Sequence, residues 1–225
     1  MATAVAHQTD EHIQREVLLE LKWDARIAPN EIGVAVKNGV ATLTGDVDTF
    51  SKKWAAERAA LRVRGVKGVA NEIEVRLPSP DQPTDPEITE AAARALALNS
   101  VVPEDAIKVT VSRGWVTLRG EVQWQYQRYE AERVVRNLRG VRGVSNLVTV
   151  RPRTGPSPDE LRKKIEDALV RTAETDAENI TVTTEGSKVI LSGTVRSWAE
   201  RREAERVAWL APGVAEVENR IRLQP

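Results

Sequence analysis

Three stretches of the chain place apolar residues four apart: Ile13, Val17 and Leu21; Ile88, Ala92 and Leu96; Leu161, Ile165 and Leu169. A step of four keeps side chains on one face of a helix, so each stretch predicts an amphipathic helix. Further on the period changes to two. Ala41, Leu43 and Val47 alternate with Val40, Thr42, Thr44 and Asp46, which predicts a strand with one buried face. Asn38-Gly39 just ahead of it is a hairpin-turn pair that joins it to a strand around Val34 and Val36. A second helix is predicted over about Ser51 to Arg64, ending at Gly65, a residue free to take the left-handed conformation of a helix stop. The closing strand sets Ile73, Val75 and Leu77 inward against Glu72, Glu74 and Arg76 outward. The order is α-β-β-α-β.

That order occurs three times. GVATLTGDV from Gly39, GWVTLRGEV from Gly114 and KVILSGTV from Lys188 end in the same Gly-x-Val. Each is followed by Ala-Glu-Arg, at Ala56-Glu57-Arg58, Ala131-Glu132-Arg133 and Ala204-Glu205-Arg206, and then by GVKGVANEIEV, GVRGVSNLVTV or GVAEVENRIRL. Separations of 75 and 73 residues relate Gly45, Gly120 and Gly193, and equally Gly65, Gly140 and Gly213, and Asn71, Asn146 and Asn219. A fixed period of this length marks tandem structural units. Between the units, LPSPDQPTDP and RPRTGPSP hold seven of the eleven prolines and read as extended, semi-rigid linkers. The expected division is a tail at 1–8, modules at 9–77, 85–151 and 157–225, and linkers at 78–84 and 152–156.

These landmarks resemble the BON domain of bacteria: a helix, a hairpin, Gly-x-Val, a second helix carrying Ala-Glu-Arg, then Gly-Val-x-x-Val-x-Asn. All three modules carry them, so the resemblance covers nearly the whole chain outside the linkers and the tail. It implies an α+β fold in which each module is a three-stranded mixed sheet with two helices on one face. It also implies phospholipid or partner binding, often in cell-envelope stress, and no catalysis.

Composition narrows the chemistry. Lys and Arg total 33 and so do Asp and Glu, so the global positive field that steers proteins onto nucleic acid is missing and no nucleic-acid partner is expected. There is no cysteine, hence no disulfide or thiolate metal site. The opening MATAVAHQTD lacks the basic and apolar regions of a secretory signal, and no run is apolar enough to span a bilayer, so a cytoplasmic protein, peripheral to the inner membrane at most, is expected. His7 and His12 are the only histidines and lie in or beside the tail, poorly placed for a general base or a metal ligand. No phosphate-binding glycine loop occurs. No catalytic residue, cofactor or metal is expected. Glu57, Glu132 and Glu205 are expected on a solvated helix face or in an interhelical ion pair.

The repeated Gly45, Gly65, Gly120, Gly140, Gly193 and Gly213 read as backbone devices, and Asn71, Asn146 and Asn219 as hydrogen-bonding the turn before the closing strand. Ser197 and Glu200 have the spacing of a capping box. The aromatic residues are less uniform. Trp124, Tyr126 and Tyr129 crowd into QWQYQRYEAERVVRNLRG, followed by basic residues. Phe50 and Trp198 share one repeat position at the start of the second helix, filled in the middle module by Gln125, so Trp124 reads as a shifted packing residue or as a membrane contact. Tyr129 matches Trp54 and so reads as partly core, whereas Tyr126 has no such counterpart. Rings at headgroup depth beside Arg128, Arg136 and Arg139 are what an anionic lipid surface would meet.

Sheet phase supplies a second candidate surface. With Val116, Leu118 and Val122 inward, Trp115 points outward with Thr117, Leu147 and Thr149, on a face whose counterparts carry Glu72, Glu74 and Arg76 or Arg220 and Arg222. A bare sheet face with a tryptophan and few charges is normally covered, here by a neighbouring module or another subunit. Net charges of 0, +2 and −2 over 9–77, 84–152 and 157–225 make the middle module the one for anionic headgroups, or for the acidic third module of another copy. The sequence therefore points to a non-catalytic, stress-related binding protein. It meets an anionic phospholipid surface or an envelope-associated protein partner, or alternatively assembles as a homo-oligomer through its sheets without a lipid ligand.

Overall fold

The computed structural model describes residues 9–76, 82–153, 155–172 and 177–224. The expected tail with His7, Leu77 of the first closing strand, and linker residues 78–81 and 154 lie outside them. The first module contains α1 (Asp10–Trp23), β1 (Ile32–Lys37), β2 (Val40–Val47), α2 (Phe50–Ala60) and a closing strand in two pieces, β3 (Gly68–Asn71) and β4 (Glu74–Val75). The second contains α3 (Asp85–Ala97), β5 (Ile107–Ser112), β6 (Trp115–Val122), α4 (Gln125–Arg136) and β7 (Gly143–Val150). The third contains α5 (Pro158–Arg171), β8 (Ile180–Glu185), β9 (Lys188–Val195), α6 (Trp198–Leu210) and β10 (Glu216–Leu223). Each sheet has its second strand in the middle, antiparallel to the strand before it and parallel to the closing strand. The fold is α+β with three mixed sheets.

The helical periodicity holds residue for residue. Ile13, Val17 and Leu21, Ile88, Ala92 and Leu96, and Leu161, Ile165 and Leu169 are the buried residues of α1, α3 and α5. Each module closes its own hydrophobic core between two helices and one sheet face. The Asn38-Gly39 turn has φ of 54° and 78°, the left-handed pair of a tight hairpin. Asp10 at the start of α1 accepts from both its amides, at 2.7 and 2.9 Å, and Asp85 does the same for Arg113 and Gly114.

The middle-strand glycines have a steric origin. Gly45, Gly120 and Gly193 hold φ of +124°, +150° and +127°, and a Cβ on any of them would run into the carbonyl oxygen of Glu31, Ala106 or Asn179. Gly65, Gly140 and Gly213 correct one expectation. They are left-handed, at +88°, +89° and +94°, but they do not stop the second helix, which ends earlier at Ala60, Arg136 or Leu210. In the first module Arg62 and Val63 bond back to Ala59 and Ala60 in a tighter turn, which takes the last helical carbonyls before Gly65 is reached. These glycines lie instead in the turn into the closing strand, against which the Ile88 side chain or Gly155 packs in the second and third modules.

The repeated asparagines also differ from expectation. They sit in the closing strand itself and tie it to the second helix. Asn146 Nδ2 donates to the Arg128 carbonyl at 2.9 Å and to the Glu132 carboxylate at 3.3 Å, and its Oδ1 accepts from the Val148 amide. Asn71 and Asn219 repeat this bracket on Lys53 and Glu57 and on Arg201 and Glu205. The basic residue of the bracket reaches back to strand carbonyls: Lys53 to Ile73, Arg128 to Asn146, Arg201 to Asn219 and Ile221. The closing strand is the sheet edge, and the bracket occupies polar groups that its unpaired side would otherwise expose. Glu57, Glu132 and Glu205 are thus half-buried partners of asparagine and not a solvated face.

The linkers do not hold the modules apart. Phe50 of the first and Trp209 of the third pack against the core of the second. α4 and α6 touch, and Arg136 stacks on Trp54 across the first boundary.

Candidate functional site

Helix α4 begins without a Ser or Thr cap. The Gln127 side-chain oxygen accepts instead from the amides of Gln123 and Trp124, at 3.1 Å each, which leaves the Trp124 ring half-buried at the cap position. Gln125 takes the interior place held by Phe50 and Trp198 elsewhere and is only 6% exposed. The next positions look outward. Tyr126 and Tyr129 are 53% and 50% exposed, and a separation of three puts both on one side of the helix.

The basic residues divide. Arg128 is held by the Asn146 bracket. Arg136 is half-buried, its guanidinium 3.7 Å from the Trp54 ring centroid and 4.0 Å from Glu132. Burial pushes its pKa down against the pull of Glu132. Arg133 pairs with Glu130 at 2.6 Å, and that hydrogen bond, with another from Asn99, outweighs partial burial and holds the Glu130 carboxyl at about 2. Arg139 is exposed beyond the helix. Of the predicted patch, Tyr126, Tyr129 and Arg139 are exposed and Trp124 is half-buried, whereas Arg128 and Arg136 are engaged within the protein.

On the open face of the second sheet, the Trp115 ring lies over Gly143, where a Cβ would meet it, and its Nε1 donates to Ser145 Oγ at 2.8 Å. Thr117 is half-buried, and Thr149 donates to the Gly120 carbonyl at 3.2 Å. The same cross-strand position holds Val40 opposite Gly68 in the first module, and in the third Lys188 opposite Glu216, an ion pair of 3.0 Å. Trp115 and Leu147 remain about half exposed, so among the described residues no neighbouring module covers this face.

One exposed aromatic escaped the sequence reading. Trp23, at the end of α1, is 85% exposed, with Leu19 one turn earlier at 54%. The signal was present, since Trp23 lies two residues past the buried Leu21 and so about 200° round the helix from it. Among the described residues there is no group of three or more His, Asp or Glu side chains able to hold a metal, and no helix is long and apolar enough to cross a membrane.

The BON domain family model matches residues 9–76, 84–152 and 157–225. The chain belongs to the BON domain family. Two curated BON relatives match about three fifths of it. The 21 kDa hemolysin of Actinobacillus pleuropneumoniae is 31% identical over 142 residues, 62% of this chain and 73% of that protein. The osmotically-inducible protein Y of Escherichia coli (strain K12) is 30% identical over 141 residues, 61% of this chain and 70% of that protein. A solved structure of CdsD, a structural protein of the type III secretion system of Chlamydia trachomatis, matches over 94% of this chain and 91% of that one. Its identity of 14% and TM-score of 0.27 are too low to inform the BON modules here.

Proposed function

We propose that this chain is a non-catalytic, stress-related binding protein whose middle module meets an anionic phospholipid surface. The observation that carries the reading is the exposed pair Tyr126 and Tyr129, on the one module with net positive charge. Tyrosine at an interface places an apolar ring below a polar tip, and neighbouring cations add electrostatic attraction to anionic headgroups. Exposed Arg139 is the cation this reading assigns to the headgroups, while Arg128 and Arg136 are held within the protein. The stress setting follows the name of the osmotically inducible relative. A cytoplasmic location, peripheral at the inner membrane, goes with this reading and is checked by cell fractionation.

Flotation with phosphatidylglycerol and with phosphatidylcholine vesicles tests it. Binding to the anionic vesicles alone, released by salt and weakened at least fivefold in Tyr126→Ala/Tyr129→Ala, is expected. Equal binding to both lipids, or none, would overturn it. Exposed Trp115 and Leu147 favour a second reading, a homo-oligomeric assembly through the open sheet face. Loss of a defined oligomer in Trp115→Lys is its test.

A further inference from the structure

The first and third modules carry the same groove with different chemistry. Both lie between the first helix and the end of the second, with volumes of about 390 Å³ and 460 Å³. The repeat aligns Glu16 with Lys164, Trp23 with Arg171 and Arg62 with Leu210. The first groove therefore presents an exposed indole and Leu19 beside a carboxylate, and the third presents two cations beside an exposed leucine, Leu210.

These charges are unspent. Glu20 is taken by Arg62 at 2.6 Å and Arg206 by Glu203, but among the described residues Glu16, Lys164 and Arg171 make no ion pair or side-chain hydrogen bond. Arg64 in the first groove and Asp167 in the third likewise have no such partner among the described residues and are of opposite sign. The middle module has Ala91 and Ala95 along its first helix where the first module has Glu16 and Glu20, and its pocket there is lined by Glu87, Glu90, Arg94 and Leu98 of that one helix and its end, so the pairing of helix and turn seen in the other two is not repeated.

We propose that the first-module groove of one copy docks on the third-module groove of a second copy of this chain. With the two first helices antiparallel, Trp23 lies against Lys164 and Glu16 against Arg171, a cation-π contact and an ion pair bracketing the apolar contact of Leu19 with Leu210. The two surfaces differ, so the contact is head-to-tail and propagates until it closes a ring or grows as a filament. This deepens the assembly reading but uses a different surface from the open sheet.

Sedimentation velocity over a concentration series is the test, on wild type, on Glu16→Lys/Trp23→Lys and on Lys164→Ala/Arg171→Ala, with circular dichroism to show that each variant is folded. Self-association of the wild type, monomers for each variant alone, and a 1:1 dimer that grows no further when the two variants are mixed are expected, because the mixture retains one competent pair of surfaces. A wild type monomeric to millimolar concentration, variants that keep the wild-type mass, or a mixture that stays monomeric would overturn the inference. An oligomer indifferent to these substitutions but lost in Trp115→Lys would leave the assembly reading standing and this contact excluded. A monomeric wild type whose vesicle flotation is lost in Trp23→Lys would assign the strip to lipid instead.

Discussion

The guanidinium carbon of Arg136 lies 3.7 Å from the centroid of the Trp54 ring, joining the last turn of α4 to the second turn of α2. The two residues belong to different modules and occupy different repeat positions. Around Arg136 the surroundings are dry enough to push its pKa down, so the ring replaces part of a lost hydration shell.

Trp54→Ala removes that replacement. A loss of about 1–2 kcal/mol is expected. Since each module has its own core, the loss falls on coupling between the first two modules. Urea unfolding followed by tryptophan fluorescence and by far-UV circular dichroism gives coincident transitions for the wild type and separated ones for the variant.

Asn146→Ala opens the bracket of the second module. The Glu132 carboxylate and the Val148 amide each lose a partner while still half-buried or buried. Unsatisfied buried polar groups cost about 1–3 kcal/mol, so a loss near the middle of that range is expected in urea titration, with Asn71→Ala and Asn219→Ala of similar size. An unchanged midpoint in all three would show that the bracket contributes nothing net.

Gly143→Ala places a methyl group where the Trp115 ring now rests. Taken alone it displaces the indole, changes its emission and costs about 1–2 kcal/mol. In a Trp115→Val background, which reproduces the Val40 and Gly68 pair of the first module, the same substitution is expected to be nearly neutral. The double-mutant cycle reads the difference.

Glu130 is one source of pH dependence, beside Asp24 and Glu218, whose carboxyls are likewise held low by arginine partners. Its carboxyl sits at about 2, below its ordinary 4.5, so its contribution to stability is present above 4.5 and lost as pH falls toward 2. The stability difference between wild type and Glu130→Gln is expected to be constant above about pH 5 and to shrink through that window. A difference that persists unchanged at pH 2 would place the effect elsewhere.

Much of this fold was legible because it repeats. Three copies of Ile13, Val17 and Leu21 fixed the first helix, and the alternation through Leu43 fixed which side of the middle strand is buried. The partnership of Glu57 with Asn71 was visible only as a constant separation of 14 residues, found again at Glu132 and Asn146 and at Glu205 and Asn219. Hydrophobic period does not tell which polar residue meets a sheet edge, so that spacing carried no meaning before the structure. Where the repeat is broken the sequence was silent. Leu61, Arg136 and Trp209 share one position, and two of them make contacts across module boundaries that no pattern within a module could announce. The match of Tyr129 to Trp54 allowed it a share of the core that its 50% exposure does not show, and the inward turn of Arg128 and Arg136 depends on neighbours distant in sequence.

The asparagine bracket has a consequence for how the chain leaves the ribosome. Each bracket spans at most 20 residues and lies wholly inside one module, so a module is latched as soon as its closing strand emerges. The stack of Arg136 on Trp54 has to wait for a helix translated some 80 residues later. The nascent protein therefore holds a finished first unit in which the Trp54 ring has Arg58 of its own helix over it but lacks the closer guanidinium of Arg136 until the second unit arrives.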